Sequence, residues 1–204
     1  MPITSLSQLD PNATYSYADY LTWQLTEWVE LLRGKVVRRM AGPSDAHQDA
    51  IVELAFHFRA HLRRQRCQVR VAPYDVRLVR GGLTTDDDDD AIHTVVQPDL
   101  CVICDPAKRQ PRGCLGAPDL IVEVLSPGTS TRDWKDKFDL YEENGVGEYW
   151  IVAPQEGTLS AFVLDAASGR YRAVGEYAGP GPVPCHTLPT LGLDWSDVFP
   201  DAVV

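Results

Sequence analysis

No apolar run in these 204 residues approaches the ~20 that a bilayer span requires. Met1-Pro2-Ile3-Thr4 also lacks the basic region and apolar stretch of a secretory signal. Basic charge is scarce: 19 basic against 29 acidic side chains leave a net charge of -10, so any phosphate contact must come from a local patch. There is no internal repeat, phosphate-binding glycine loop, Gly-x-Ser-x-Gly elbow or dinucleotide fingerprint. These absences leave a chain of ordinary hydrophobic content, long enough for one domain with a sizeable core. It is expected to be cytoplasmic, with reduced thiols and no membrane partner.

Metal-binding patterns are equally thin. Cys101 and Cys104, with Cys114 and Cys185 elsewhere, invite a zinc reading, but the C-x-x-C lies in an apolar strand and no second pair matches it. The five cysteines are therefore expected to be packed and reduced. His57 and His61 stand at i, i+4 without the glutamate of HExxH, and read as a solvated flank. The run Asp86 to Asp90 lacks the interspersed glycine and closing glutamate of a calcium loop, so it reads as a solvated loop after Gly81-Gly82. Lys108-Arg109-Gln110-Pro111-Arg112-Gly113 is the best local phosphate-contacting patch, although the pattern favours an ordinary exposed loop.

What is present centres on Leu120 to Leu125, short, rich in branched residues and bounded by turn formers, the pattern of a strand buried on both faces. Its one polar member, Glu123, is costly to desolvate unless a metal ion, a lysine or an arginine meets it. A helix over Asp133 to Glu143 follows. Trp134, Phe138, Leu140 and Tyr141 define its apolar arc, and at 100° per residue Lys137 falls inside the arc while Lys135 falls outside. Lys137 is thus the candidate partner of Glu123; the alternative is a packed stem with its ammonium in water. A second acid, Asp99, follows Gln97-Pro98 within a strand expected over Val95 to Ile103.

Upstream, Ser16 with Asp19 forms a capping box for a helix through Tyr17, Tyr20 and Leu21. Glu30 to Met40 reads as a hairpin turning at Gly34, where Glu30 is either an exposed edge charge, which spacing favours, or a group pointing into a site. Gly42-Pro43-Ser44 breaks the pattern before a helix from about Ala46 to Arg64. Its stripe Ile51, Leu54, Ala55, Phe58 and Leu62 carries His47 on the same side, as a site residue or as a hydrogen-bonded cap or core histidine. Gln68 to Leu78 is extended and broken at Pro73. Glu148 to Ala153 is another buried strand, and Thr158 to Leu164 with Tyr171 to Gly175 makes a hairpin. Gly179 to Pro189 and Trp195 to Phe199 look like closing structure over the sheet. The expected layout is a single domain, 1–204, with a core over about 17–164 and a closing segment 165–204.

Gln97-Pro98-Asp99-Leu100, the run Gly116 to Pro127, Asp133-x-x-x-Lys137-x-x-x-Tyr141 and Gly145 to Val152 together resemble the signature of the Uma-type restriction endonuclease family. That family is widespread in bacteria, especially cyanobacteria, and belongs to the PD-(D/E)xK nuclease superfamily. The resemblance implies an α/β (α+β), restriction-endonuclease-like fold, a mixed central sheet flanked by helices with Asp99 and Glu123 on adjacent strands. It implies a Mg or Mn ion on Asp99 and Glu123, and a metal-dependent phosphodiesterase acting on nucleic acid, DNA first; a homodimer is compatible with it. The superfamily's usual lysine stands two residues after the glutamate, which is Leu125 here, while the family pattern moves it to the next helix, where Lys137 matches. Asp99, Glu123 and Lys137 are thus the candidate catalytic residues, Glu30 and His47 the candidate shell, and Asp119 a turn residue. The broken motif and the acidic charge also fit a nuclease-like module that binds without cutting, and a zinc-stabilised interaction domain is a third reading.

Overall fold

The computed structural model describes residues 2–38, 44–79, 88–126 and 131–200, with only the backbone of 131–134. Gly42-Pro43, Gly81-Gly82, Asp86-Asp87 and the side chain of Trp134 lie outside the described residues. Two six-stranded sheets organise the chain. The first runs β2 (Lys35–Arg38), β1 (Val29–Leu32), β5 (Val95–Val96), β4 (Val76–Arg77), β8 (Gly113–Leu115), β7 (Arg109–Gln110). The second runs β12 (Arg170–Tyr177), β11 (Thr158–Asp165), β10 (Glu148–Ala153), β9 (Leu120–Val124), β6 (Leu100–Ile103), β3 (Gln68–Val71). Each is mixed, with one parallel pair, β4 with β8 and β9 with β10.

Two extended segments divide between these sheets, one at the break expected and one expected to be a single strand. Gln68 to Leu78 breaks at the cis Ala72–Pro73 bond into β3 and β4. Val95 to Ile103 is likewise not one strand. Pro98 brings no N–H to a ladder, and the chain leaves the first sheet after β5 and enters the second at β6, with Asp99 at the crossing. Both acids of interest thereby come to one end of the second sheet.

That sheet is covered on both faces. The helix α2 (Asp45–His61), capped by the Ser44 side chain on His47 N–H, lays Ala50, Leu54 and Phe58 against Leu100, Val102, Leu120, Val122 and Trp150. Val183, Leu188, Leu193, Trp195 and Phe199 of the C-terminal segment complete the same core. The other face meets α3 (Thr131–Glu143) through Phe138, Leu140 and Tyr141, together with Val76, Val96 and Cys114 of the first sheet. Strand alternation therefore sends Leu120, Val122 and Val124 towards α2, and Ile121 and Glu123 towards α3. A smaller cluster joins Tyr17 of α1 (Tyr17–Tyr20) to Leu31, Ile92, Val95 and Leu115.

The expectation of five reduced cysteines is corrected. Cys67 and Cys104 form a disulfide, whereas Cys101, Cys114 and Cys185 are free and buried. Burial pushes the Cys114 thiol up to about 12 and the Cys101 and Cys185 thiols higher still, so none is a ready thiolate. His57 and His61 are half-buried rather than solvated, because the C-terminal segment reaches them through Asp197 and Thr190. No described helix is long and apolar enough to cross a membrane.

Candidate active site

The site forms where β1, α2, β9, α3 and the β5–β6 crossing meet. The pairing of Leu100 with Val122, carried one residue further, sets Asp99 opposite Glu123. Asp99 Oδ2 accepts a hydrogen bond from Val124 N–H at 2.8 Å, so the carboxylate is fixed against the strand that carries Glu123. Glu123 Oε1 accepts from Lys137 Nζ at 2.9 Å and from the Tyr141 hydroxyl at 2.5 Å. Lys137 and Tyr141 are one turn apart on α3, so a single helix face presents both donors. Lys135 is exposed.

Glu30 joins this group and corrects the edge-charge reading. Strand β1 lies between β2 and β5, so its alternate side chains are enclosed, and Glu30 is only 3% exposed. The hairpin that positions it turns through Arg33 and Gly34, both at positive φ (51° and 80°), as a two-residue turn of the primed type demands. A Cβ on Gly34 would run into Thr14 Cγ2. Glu30 Oε1 accepts from Lys137 Nζ at 3.1 Å and from Gln97 N–H at 2.7 Å. His47, in the first turn of α2, is buried with Nε2 3.6 Å from Asp99 Oδ2, and its Nδ1 has no hydrogen-bond partner among the described residues. The structure thus brings Glu30, His47, Asp99, Glu123 and Lys137 together from β1, α2, the β5–β6 crossing, β9 and α3.

Electrostatically, two carboxylates, Glu30 and Glu123, meet one ammonium where water is largely excluded, with the buried Asp99 beside the strand that carries Glu123. Tyr141 is a permanent donor here: burial, then the charge of Glu123, hold its hydroxyl well above its ordinary range. Among the described residues no three His, Cys, Asp or Glu side chains form a ready metal cage. Magnesium does not need one, since it is commonly held by one or two carboxylates with water and substrate oxygens completing its shell.

Other candidates are engaged elsewhere. Lys108 Nζ donates to Ala117 C=O, and Arg112 pairs with Asp89 at 2.6 Å, so the basic segment is tied into the fold. Asp119 caps Cys104 N–H and, through its carbonyl, accepts from Glu148 N–H, in keeping with a turn residue. Three contributors escaped the sequence reading. Tyr141 was legible as arc but not as donor, although its i+4 spacing from Lys137 is the signal. Gln97 braces Glu30 through its backbone, which no side-chain pattern reveals. Glu148, fully buried, binds Trp150 Nε1 and the N–H groups of His186 and Thr187, pinning the C-terminal segment to the sheet.

A mixed sheet with helices on it and two carboxylates at adjoining strand ends defines a restriction-endonuclease-like fold. A crystal structure of a putative nuclease belonging to DUF820 from Anabaena variabilis superposes with a TM-score of 0.69, covering 91% of this chain and 98% of that one, at 19% identity, which speaks for the fold. The Uma2 family, described as "Putative restriction endonuclease", matches residues 17–196, and the chain belongs to that family. An uncharacterized protein of Synechocystis sp. is 30% identical over 144 residues, 70% of each chain.

Proposed function

We propose that the protein is a divalent-metal-dependent phosphodiesterase of the PD-(D/E)xK type that cuts DNA, with Asp99 and Glu123 holding the cation and Lys137 assisting the attacking water. The observation that carries this reading is the Lys137 ammonium, 2.9 Å from Glu123 although it stands on α3 and not two residues after the glutamate, where Leu125 is found. A lysine recruited from another element to the same carboxylate supports a shared task. Asp99 and Glu123 offer the hard oxygens that Mg or Mn prefers. When bound, such an ion relieves charge on the phosphate and on the leaving oxygen.

The chain's own groups do the rest. Lys137 orients the water and offsets negative charge as it develops on the phosphate oxygens. Glu30 and Tyr141 fix Lys137 and Glu123 in that geometry. His47 approaches Asp99 from the α2 side, and its Nδ1 has no hydrogen-bond partner among the described residues.

The test is incubation with DNA and RNA substrates with and without Mg or Mn. Metal-dependent cleavage of DNA is expected, and Lys137→Met, which keeps most of the apolar stem, should lower it by about 10²-fold or more while leaving the fold intact. Equal activity of Lys137→Met and parent would remove Lys137 from the mechanism. In calorimetry Asp99→Ala should weaken Mn binding, and unchanged affinity would sink the shared cation site. A second reading, binding without cleavage, is favoured by the two bonds that Glu123 Oε1 already accepts; it predicts DNA binding with no product under any metal.

A further inference from the structure

Beside this site lies a largely aromatic cavity of about 330 Å³ whose lining includes Tyr20, Trp23, Trp28, Pro73, Gln97 and the acidic Glu27. It adjoins the carboxylates through Gln97, whose N–H binds Glu30 and which stands two positions before Asp99. We infer that the cavity receives one unpaired nucleobase of the strand whose phosphate faces Asp99 and Glu123, so that the substrate is single-stranded or locally opened nucleic acid. The inference rests on the phosphodiesterase reading and adds its substrate class.

Three observations carry it. The volume is at the small end of the roughly 300–1,000 Å³ found for small-molecule sites, which suits a base rather than a segment of duplex. The rings are held in place: Trp23 meets Tyr15 edge-on at 5.2 Å and Tyr20 at 5.7 Å, and Tyr20 stacks on Tyr17 at 5.7 Å, so the wall is rigid before anything binds. Trp28, by contrast, is 54% exposed, a large apolar surface left in water at the cavity. Gln97 adds direction. Its Nε2 donates to Asp75 Oδ1 at 2.8 Å, which orients the amide and leaves Oε1 and a second N–H for the polar edge of a base.

Charge points the same way. A chain at -10 whose Lys108 and Arg112 already bind the Ala117 carbonyl and Asp89 gains little from phosphate neutralisation. Stacking on aromatic side chains is the main alternative source of affinity, and every base has a face to offer.

The test uses the full chain without divalent metal, so that binding is read apart from cleavage, by anisotropy of labelled oligonucleotides and by tryptophan quenching. Single-stranded DNA, single-stranded RNA and duplex DNA are the three arms. Single strands should bind more tightly than duplex and quench the tryptophans, with DNA against RNA naming the source of the base. Trp28→Ala should weaken binding by about 5- to 100-fold, and Trp28→Phe should restore most of it. Binding of single strands that is unchanged in Trp28→Ala, preference for fully paired duplex, or no binding by the parent would each overturn the inference. Cleavage of duplex that ignores Trp28 would sink the pocket and leave the phosphodiesterase standing. Quenched, Trp28-dependent binding with no cleavage under Mg or Mn would do the reverse.

Discussion

At the scale of single residues, the charges that matter are those whose surroundings forbid an ordinary hydration. Glu123 announced itself as one carboxylate in an apolar run, and Lys137 as one ammonium in an apolar arc, because both signals are local and periodic. Glu30 gave no such signal: whether β1 is an edge depends on its pairing with β5, through Leu31 and Val95, far along the chain. Tyr17 shows how burial alters titration. Its hydroxyl lies against Asp75 Oδ2 at 3.3 Å, and burial, reinforced by the Asp75 charge, pushes it up to about 12. The folded state therefore keeps a proton that the unfolded chain releases near 10. Stability from this group is complete below pH 10 and is lost as pH rises to about 12. Urea midpoints across that window should fall with pH, and Tyr17→Phe should flatten the fall; an unchanged slope would remove Tyr17 from the account.

At the scale of elements, the two long helices were legible because an amphipathic stripe needs no knowledge of its partner. Strands were legible as apolar runs, and so was the break at Pro73, but not the passage from one sheet to the other. Pro98 marked an irregular place, yet nothing in Val95 to Ile103 says that its halves belong to different sheets. The C-terminal segment was readable as a cover, while its anchor was not. Glu148 receives Thr187 N–H at 2.6 Å, His186 N–H at 3.0 Å and Trp150 Nε1 at 2.8 Å inside the core. Glu148→Ala strands these donors away from water, so a loss of about 3 kcal/mol or more is expected in urea unfolding. A loss below about 1 kcal/mol would mean that apolar packing alone holds the segment.

At the scale of the whole molecule, the candidate site exists only because two sheets meet, so five residues from five places converge where no single stretch predicts more than two. The disulfide belongs to the same scale. Counting cysteines gave an odd number and a C-x-x-C, and neither hints that Cys104 pairs with Cys67. The pairing follows from β3 lying antiparallel to β6: Gln68 opposes Ile103, and one step outward Cys67 opposes Cys104. The bridge spans a sequence separation of 37 and encloses β3, β4, β5 and β6, with Asp99 between the last two. Closing a loop of that length in the unfolded chain corresponds to about 3–4 kcal/mol of stabilisation. Two measurements check this. Thiol titration in denaturant without reductant should count three cysteines, Cys101, Cys114 and Cys185, and almost none before unfolding, since all three are buried. Cys67→Ser should shift the urea midpoint as reductant shifts that of the parent, and reductant should then have no further effect on the variant. Five thiols in the denatured parent, or a Cys67→Ser protein as stable as the parent, would show that the strands hold their register without the bond.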